Sequence, residues 1–375
     1  MPRSSPSFAK IRLKCYNVCL MQSLTQSLLS FDEQKLKEEF KLQGFKPFYA
    51  RIVLSWIWQR KVTVFEKMTD LSKEMRETLA RKYKLSSITS VKEVLSDDLQ
   101  TTKWLWKLED NYLVESVLIE SFDRRTVCVS CQVGCPARCA FCASGKEGLM
   151  RHLSVAEIVE QILFIERFLN NRGEKVTHIV FMGMGEPLDN YDNVVQSIRL
   201  LTDAKLMGLS RRRITVSTVG VVDGINRLAE EGLGVNLVLS LHAPNQKLRQ
   251  KLIPYARRYP LEEIMQAMKG YSTKTGRDVT FEYILLDGLN DQIEHAQELA
   301  TLLKGWQCNV NLIPYNPVQG LRIKRPSGKQ IDLFRSVLDE KGILNTCRYT
   351  KGDDIAAACG QLALQKASES SLTLL

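Results

Sequence analysis

Cys135, Cys139 and Cys142 stand in the spacing C-x-x-x-C-x-x-C, inside the run TVCVSCQVGCPARCAFCASG, and Cys128 and Cys131 lie just before them. Five of the chain's ten cysteines thus fall between positions 128 and 142. Thiols gathered so closely hold a metal or do redox chemistry. They are no disulfide framework, because ten cysteines in 375 residues is sparse and a core of that size needs no staples. Three arrangements compete. Cys128, Cys131, Cys139 and Cys142 form two C-x-x-C pairs suited to zinc. Zinc ribbons, however, separate their pairs by about 12 to 20 residues. Here seven residues lie between Cys131 and Cys139, and Cys135 is left over. C-x-x-C-x-x-x-C-P, at Cys128, Cys131, Cys135 and Pro136, imitates the end of a ferredoxin motif without its first cysteine. The third arrangement uses Cys135, Cys139 and Cys142, with Phe141 directly before the last. Three thiolates can hold three irons of one [4Fe–4S] cube and leave the fourth iron open.

An open iron can chelate the amino and carboxylate groups of S-adenosylmethionine. One electron from the cluster then cleaves the sulfonium and releases a 5′-deoxyadenosyl radical. The spacing, Phe141 and a position after the first strand of an α/β series favour this arrangement. At this point the chain resembles the radical SAM superfamily. Other segments can complete such a site. In FMGMGEP, Gly183 and Gly185 let backbone approach a ligand, and Glu186 can accept a hydrogen bond from an ammonium group. Ser217 in VSTVG, Ser240, Leu241 and His242 in SLHAP, and Asn316 in PYNP each end a later strand and offer polar groups to a ribose, carboxylate or adenine. Read alone, G-x-G is an ordinary turn and His242 a satisfied structural histidine. Cys359, in KGDDIAAACGQLA, reads alone as a small residue buried on an Ala-rich helix.

Elements that could position these residues follow from the hydrophobic periods. Residues 1–24 form a Ser-rich basic tail, part of an acid-free stretch with Arg3, Lys10, Arg12 and Lys14, which fits an organellar transit peptide or a disordered end. Residues 25–88 read as a small helical accessory domain for RNA. Ser30 is expected to cap its first helix and Gly44 to end it, and Ser72 is expected to cap KEMRETLARKY. Lys46, Arg51, Arg60, Lys61 and Lys67 recur along it as RNA contacts or as solvated faces. Residues 89–124 alternate like strands. From 125 to 366 helices alternate with strands, among them VTHIVFMG, RITVSTV, VNLVLSLHA, DVTFEYILL and CNVNLIPY. The fold class is α/β, a partial (β/α)6 barrel with extra antiparallel strands, and its site belongs at the carboxyl ends of the strands. Residues 367–375 read as a frayed tail. The formal charge of +10 favours a polyanionic partner, with Arg211 to Arg213 and Arg322, Lys324, Arg325 and Lys329 as candidate phosphate contacts. No run approaches the ~18 apolar residues of a membrane span.

As a set, CVSxQVGCxxxCxFC, FMGMGEP, STVG, SLHAP, IPYNP and GDDIxAACGQL resemble the RlmN-type RNA adenine-C2 methyltransferases, from about residue 25 to 365. The sister Cfr-type enzymes, which methylate adenine C8, share most of these motifs, and Pro187 after Gly185–Glu186 points to the C2 branch. Cys131 departs from the pattern, where Ser is usual. The resemblance implies one [4Fe–4S] cluster on Cys135, Cys139 and Cys142 and two molecules of S-adenosylmethionine per turnover. It implies that Cys359 carries an S-methyl group, that the derived methylene radical adds to adenine C2, and that Cys128 resolves the adduct through a transient disulfide with Cys359. Glu115 in LVESV matches the family's proton acceptor, although alone it reads as a solvated strand residue. The implied substrates are an adenine of 23S rRNA near the peptidyl-transferase centre and the adenine beside the anticodon of some tRNAs. A flavodoxin or ferredoxin as electron donor, a monomeric state and a cytoplasmic location complete the expectation. A glycyl-radical activating enzyme and a zinc-dependent RNA-binding module are the rival readings.

Overall fold

Period-3.6 burial shapes the amino-terminal residues. Helix α1 (Glu33–Leu42) buries Leu36 and Phe40. It is capped by Asp32, whose carboxylate accepts the Lys35 N–H at 2.8 Å, and not by Ser30 as expected. Ser30 instead closes a 3-10 turn, Leu28–Ser30, whose two leucines are buried. The carboxylate cap also places negative charge at the positive end of the helix, which a hydroxyl cannot do. Gly44, at φ +79°, lies just past the end of α1. Helix α2 (Tyr49–Trp58) follows Pro47. Helix α3 (Lys73–Lys82) is capped by Ser72, which accepts the Met75 N–H at 3.2 Å. The computed structural model describes residues 26–348, 351–363 and the backbone of 365–366. The tails expected over 1–24 and 367–375 lie outside the described residues.

Strands then dominate. β1 (Ile88–Leu95), β2 (Thr101–Leu108) and β3 (Tyr112–Ser121) form an antiparallel meander. Trp104 and Trp106 lie on one face of β2 and meet Phe164 and Phe168 edge-on. Those two rings belong to α4 (Val155–Asn170), so the meander is fastened to the next unit by aromatic packing. β4 (Arg124–Cys128) is the hinge of the topology. It runs antiparallel to β3 and parallel to β5 (His178–Phe181). From there every pairing is parallel: β6 (Ile214–Thr218), β7 (Asn236–Ser240), β8 (Val279–Leu285), β9 (Cys308–Pro314) and the short β10 (Asn345–Cys347). Among the described residues no pairing joins β10 to β1, so the barrel stays open.

Helices alternate with these strands, α5 (Tyr191–Thr202) through α10 (Gly328–Glu340). Alternation along each strand sorts outside from inside. On β8, Phe281 and Tyr283 meet Trp306 and Phe334 on the helical side, which turns Glu282 and Ile284 inward. The interior opens at the carboxyl ends of the parallel strands, where polar groups replace apolar ones. Among the described residues no helix is long and apolar enough to cross a membrane.

Candidate active site

Two adjoining cavities occupy that end of the barrel. The first holds about 770 Å³ of empty space and is lined by Cys135, Cys139, Cys142, Gly185, Glu186, Ser217, Ser240 and His242. The second, about 1130 Å³, is lined by Cys128, Cys359, Asn316, Arg348 and Lys351. Cys142, Glu282 and Cys359 line both, so the two form one continuous site.

A loop between two short paired strands, Gln132–Gly134 and Leu149–His152, carries the three cysteines. Gly134, at φ +75°, closes it. A Cβ there would lie 1.9 Å from the Gly148 carbonyl oxygen, so no other residue fits. The Cys135 N–H donates to that same oxygen at 3.0 Å, and the Ala140 N–H to Leu252 at 2.9 Å. Further bonds tie the loop to the Cys359 segment, from the Ala143 N–H to the Gly360 oxygen at 2.8 Å and from the Ser144 hydroxyl to the Leu362 oxygen at 2.5 Å. Burial pushes the Cys135 and Cys139 thiols up, and repulsion from their neighbouring thiols adds to it. Burial raises Cys142 as well. Such a donor set is costly to ionise unless a positively charged group receives the thiolates. Three half-buried cysteines facing empty space fit the iron–sulfur arrangement. The zinc reading fails on Cys131, which is 2% exposed and lines neither cavity. It packs behind Gly185, its carbonyl accepting from the Asn190 side chain at 2.7 Å.

Glu186 is buried, and both its oxygens accept backbone N–H groups, Leu188 at 3.0 Å and Val219 at 2.8 Å. Burial still holds its carboxyl up at about 7. An ammonium ligand beside it would restore the charged form. Gln132 orients it, accepting the Glu186 N–H at 2.7 Å and donating to Asp189 at 3.0 Å. The glycines before it serve the protein more than a ligand. A Cβ on Gly183 would meet the Val129 oxygen at 2.7 Å, and one on Gly185 would meet the Gln132 Cβ at 2.7 Å. Gly185 also sits at φ +112°. Gly185→Ala is therefore expected to cost about 1–3 kcal/mol of stability, measured by denaturant melting of the metal-free protein. An unchanged midpoint would remove this account of the turn.

Ser217 and Ser240, on adjacent strands, bring their hydroxyls within 3.0 Å of each other. His242, at φ +57°, accepts the Ile284 N–H at Nδ1, 3.0 Å away. In the neutral ring this assigns the proton to Nε2. Burial and the nearby Arg249 push its pKa down to about 3. Phe141 meets the ring edge-on at 5.0 Å. Leu241 lines neither cavity. Its N–H donates to the Glu282 backbone oxygen and its own oxygen accepts from Arg249. Asn316 lines the second cavity, not the first, and donates to the Cys359 oxygen at 3.3 Å.

Cys359 lies in a string of turns, not on the Ala-rich helix of the isolated reading, and its side chain is exposed to both cavities. Gly352 at φ +71°, Ala356 at φ +51° and Gly360 at φ +84° break the helix that the alanines favour. Cys128 ends β4, nearly buried, in the second cavity. Glu115 is not brought to this pair. Its carboxylate meets Lys103 Nζ at 3.0 Å and accepts the Ala363 N–H at 3.0 Å, facing a separate pocket with Lys146 and Gln361. The basic segments also part company. Arg211 to Arg213 form a 3-10 turn before β6, at the end of the barrel away from the cavities. Arg322, Lys324 and Lys329 are exposed beyond the carboxyl end of β9, on the cavity side. In the helical domain, Arg60 pairs with Asp70 at 3.2 Å and Lys61 with Glu166 at 3.7 Å, which occupies two of its candidate RNA contacts.

Two buried charges at the cavities went unread in the sequence. Arg249 on α7 (Gln246–Leu252) donates to the Leu241, Val219 and Ser240 oxygens, and burial lowers it to about 10. Nothing in QKLRQKL sets it apart from its cationic neighbours. Glu282 does carry a signal, an acid inside the apolar strand VTFEYIL.

Comparison with known proteins agrees with this geometry. Residues 129–300 match the model of the radical SAM superfamily, and residues 26–85 that of the ribosomal RNA large subunit methyltransferase N-terminal domain. A probable dual-specificity RNA methyltransferase RlmN 2 of Protochlamydia amoebophila is 62% identical over 336 residues, 90% of this chain and 94% of the relative. A probable dual-specificity RNA methyltransferase RlmN of Thermotoga maritima is 45% identical, over 91% and 98% of the two chains. The crystal structure of a radical SAM methyltransferase from Sphaerobacter thermophilus superposes with a TM-score of 0.88 at 44% identity, covering 90% of this chain and 99% of that one. The chain belongs to the RlmN family of radical SAM RNA methyltransferases.

Proposed function

We propose that this chain methylates C2 of adenine in 23S rRNA and in tRNA, by radical chemistry that passes through Cys359. The observation that carries the reading is the shared cavity. Cys359 opens to the three-cysteine wall on one side and to Cys128 on the other. Adenine C2 is an electron-poor amidine carbon with no lone pair to attack an ordinary methyl donor, so a radical route suits it. A [4Fe–4S] cluster held by Cys135, Cys139 and Cys142, with S-adenosylmethionine at its open iron, supplies the hydrogen-abstracting 5′-deoxyadenosyl radical when bound.

The chain's own residues do the rest. Glu186 receives the methionine ammonium, and Ser217, Ser240 and His242 face the remainder of the cosubstrate. Cys359 takes a methyl group from one S-adenosylmethionine and loses a hydrogen to the radical from a second. Its methylene carbon bonds to C2, after which a base takes the C2 proton and the odd electron would return to the iron–sulfur group, leaving a closed-shell adduct. Cys128 then attacks the Cys359 sulfur, which leaves a disulfide to be reduced before the next turnover. A one-electron donor such as flavodoxin or ferredoxin and a reducing, cytoplasmic setting fit that requirement. The chain acts as a monomer in this reading.

Anaerobically purified protein should hold about four irons with matching sulfide, and stoichiometric zinc in their place would sink the reading. Nucleoside mass spectrometry of RNA from cells making the chain should find 2-methyladenosine. The 8-methyl isomer would transfer it to the Cfr-type branch, which the RlmN relatives do not favour. RNA binding should weaken steeply as salt rises, the mark of phosphate contacts from Arg322, Lys324 and Lys329.

A further inference from the structure

Six glutamates are buried among the described residues. Five of them accept hydrogen bonds. Glu115 takes the Ala363 N–H, Glu157 the Ser154 N–H, Glu160 the Ser87 N–H, Glu166 the Val176 N–H and Glu186 two amides. Glu282 is the sixth. It is 7% exposed, yet its carboxylate makes no hydrogen bond or ion pair with any described residue. Burial without a hydrogen bond from any described residue disfavours a carboxylate, and Arg348 offsets this only through its charge, so such a group persists where its reactivity is used. β8 fixes its direction. Phe281 and Tyr283 take the helical side, and Glu282 points into the site, where it lines both cavities with Cys359. Its charge adds to the burial that pushes up the thiols of Cys128 and Cys359. Arg348, on the rim of the second cavity, is the cation that its charge meets.

The resolving step has a need that this carboxylate meets. Cys128 is nearly buried, and burial holds its thiol protonated. A neutral thiol is a poor nucleophile toward sulfur. Release of the base also requires a proton at the carbon that leaves Cys359. Glu115 is held by Lys103 and the Ala363 amide in another pocket. We propose that Glu282 is a catalytic residue of adduct resolution, taking the Cys128 thiol proton and returning it to the departing carbon. The proposal rests on the two-cysteine reading above. Once the adduct has given up its odd electron and the C2 proton, its resolution balances within the site. A bond forms between the two sulfurs, and the bond from the Cys359 sulfur to the methylene carbon breaks. Its electron pair stays on carbon, which receives the thiol proton and becomes the methyl group. The sulfurs are oxidised to a disulfide as the methylene is reduced to methyl.

The test uses cluster-loaded Glu282→Gln and Cys128→Ala enzymes, each turned over anaerobically with substrate RNA. A denaturing gel reads RNA-linked protein, peptide mass reads S-methyl Cys359, and nucleoside analysis reads released product. Glu282→Gln is expected to form S-methyl Cys359, to accumulate an RNA-linked band as Cys128→Ala does, and to release at least tenfold less product. Glu282→Ala, which leaves room for a small acid, should release its linked RNA at least threefold faster in acetate than in chloride at equal ionic strength. A purely structural role gives no such rescue. Product release by Glu282→Gln at the wild-type rate would overturn the proposal. So would S-methyl Cys359 without a linked band, or a linked band in Glu282→Ala that acetate does not discharge. If Cys128→Ala also lacks the band, the two-cysteine reading itself has failed and takes this proposal with it. A band in Cys128→Ala alone refutes only the role of Glu282.

Discussion

Cys139→Ala protein, purified without oxygen, is expected to lose most of its iron and to fall at least ~100-fold in methylation, since losing even an outer-shell partner costs a metal site about 10–100-fold. Cys139 is the middle sulfur of the three, and burial together with repulsion from Cys142 keeps its thiol high. Arg249 is the cation that opposes this, and it is buried against the same wall. Removing the sulfur should cost the cluster its proposed ligand without unmaking the loop. The flanking Ala140 N–H keeps its bond to Leu252, and the Cys139 carbonyl still accepts the Cys142 N–H at 3.2 Å. The metal-free variant should therefore melt within a few degrees of the metal-free parent, while iron and sulfide assays of the loaded forms diverge. A variant that keeps its iron and its activity would remove Cys139 from the ligand set. A large fall in the melting temperature of the metal-free form would show instead that the cysteine is a packing residue.

The residues that face the cavity were legible where a strand end coincided with a polar motif. Gly185, Glu186, Ser217, Ser240 and His242 all fall there, because parallel strands turn their carboxyl ends to one side and their inward positions recur with period two. What stayed hidden depends on contacts across the chain. The Asp32 cap displaces the expected Ser30 because Leu28 and Leu29 bury a turn against the core, a tertiary effect that no local pattern carries. The segment around Cys359 has the composition of a helix and the conformation of a loop. Asn316, Ala143 and Ser144, from elements far away in sequence, supply its hydrogen bonds. Arg211 to Arg213 looked like a phosphate-binding run, but their place before β6 turns them away from the cavities. Glu115 was identified by its match to the family's carboxylate, on the strand before Cys128. That match says nothing of Lys103, which lies on the neighbouring strand β2 and meets its carboxylate.

Cys359→Ala is expected to abolish methyl transfer, at least about a thousandfold, as loss of a covalent nucleophile does elsewhere. It should leave slow cleavage of S-adenosylmethionine intact, because the three-cysteine wall and Glu186 are untouched. The substitution is mild for the fold. Cys359 holds its place through its carbonyl, which Asn316 grips, and through the Gly360 oxygen, which takes the Ala143 N–H. Its sulfur is exposed to the cavity, so deleting it opens no hole in the core. Cys128→Ala makes the sharper contrast. The carrier sulfur remains, the methylene can reach RNA, and nothing resolves the bond. One variant should then give free RNA without a methyl group, and the other RNA fixed to protein. Two cysteines serving only as packing cannot produce opposite outcomes on the same gel. Full methylation by Cys359→Ala would end the covalent mechanism, whatever the iron content. Free RNA from both variants, with cleavage of S-adenosylmethionine preserved, would leave the radical intact and deny Cys128 its part in the release.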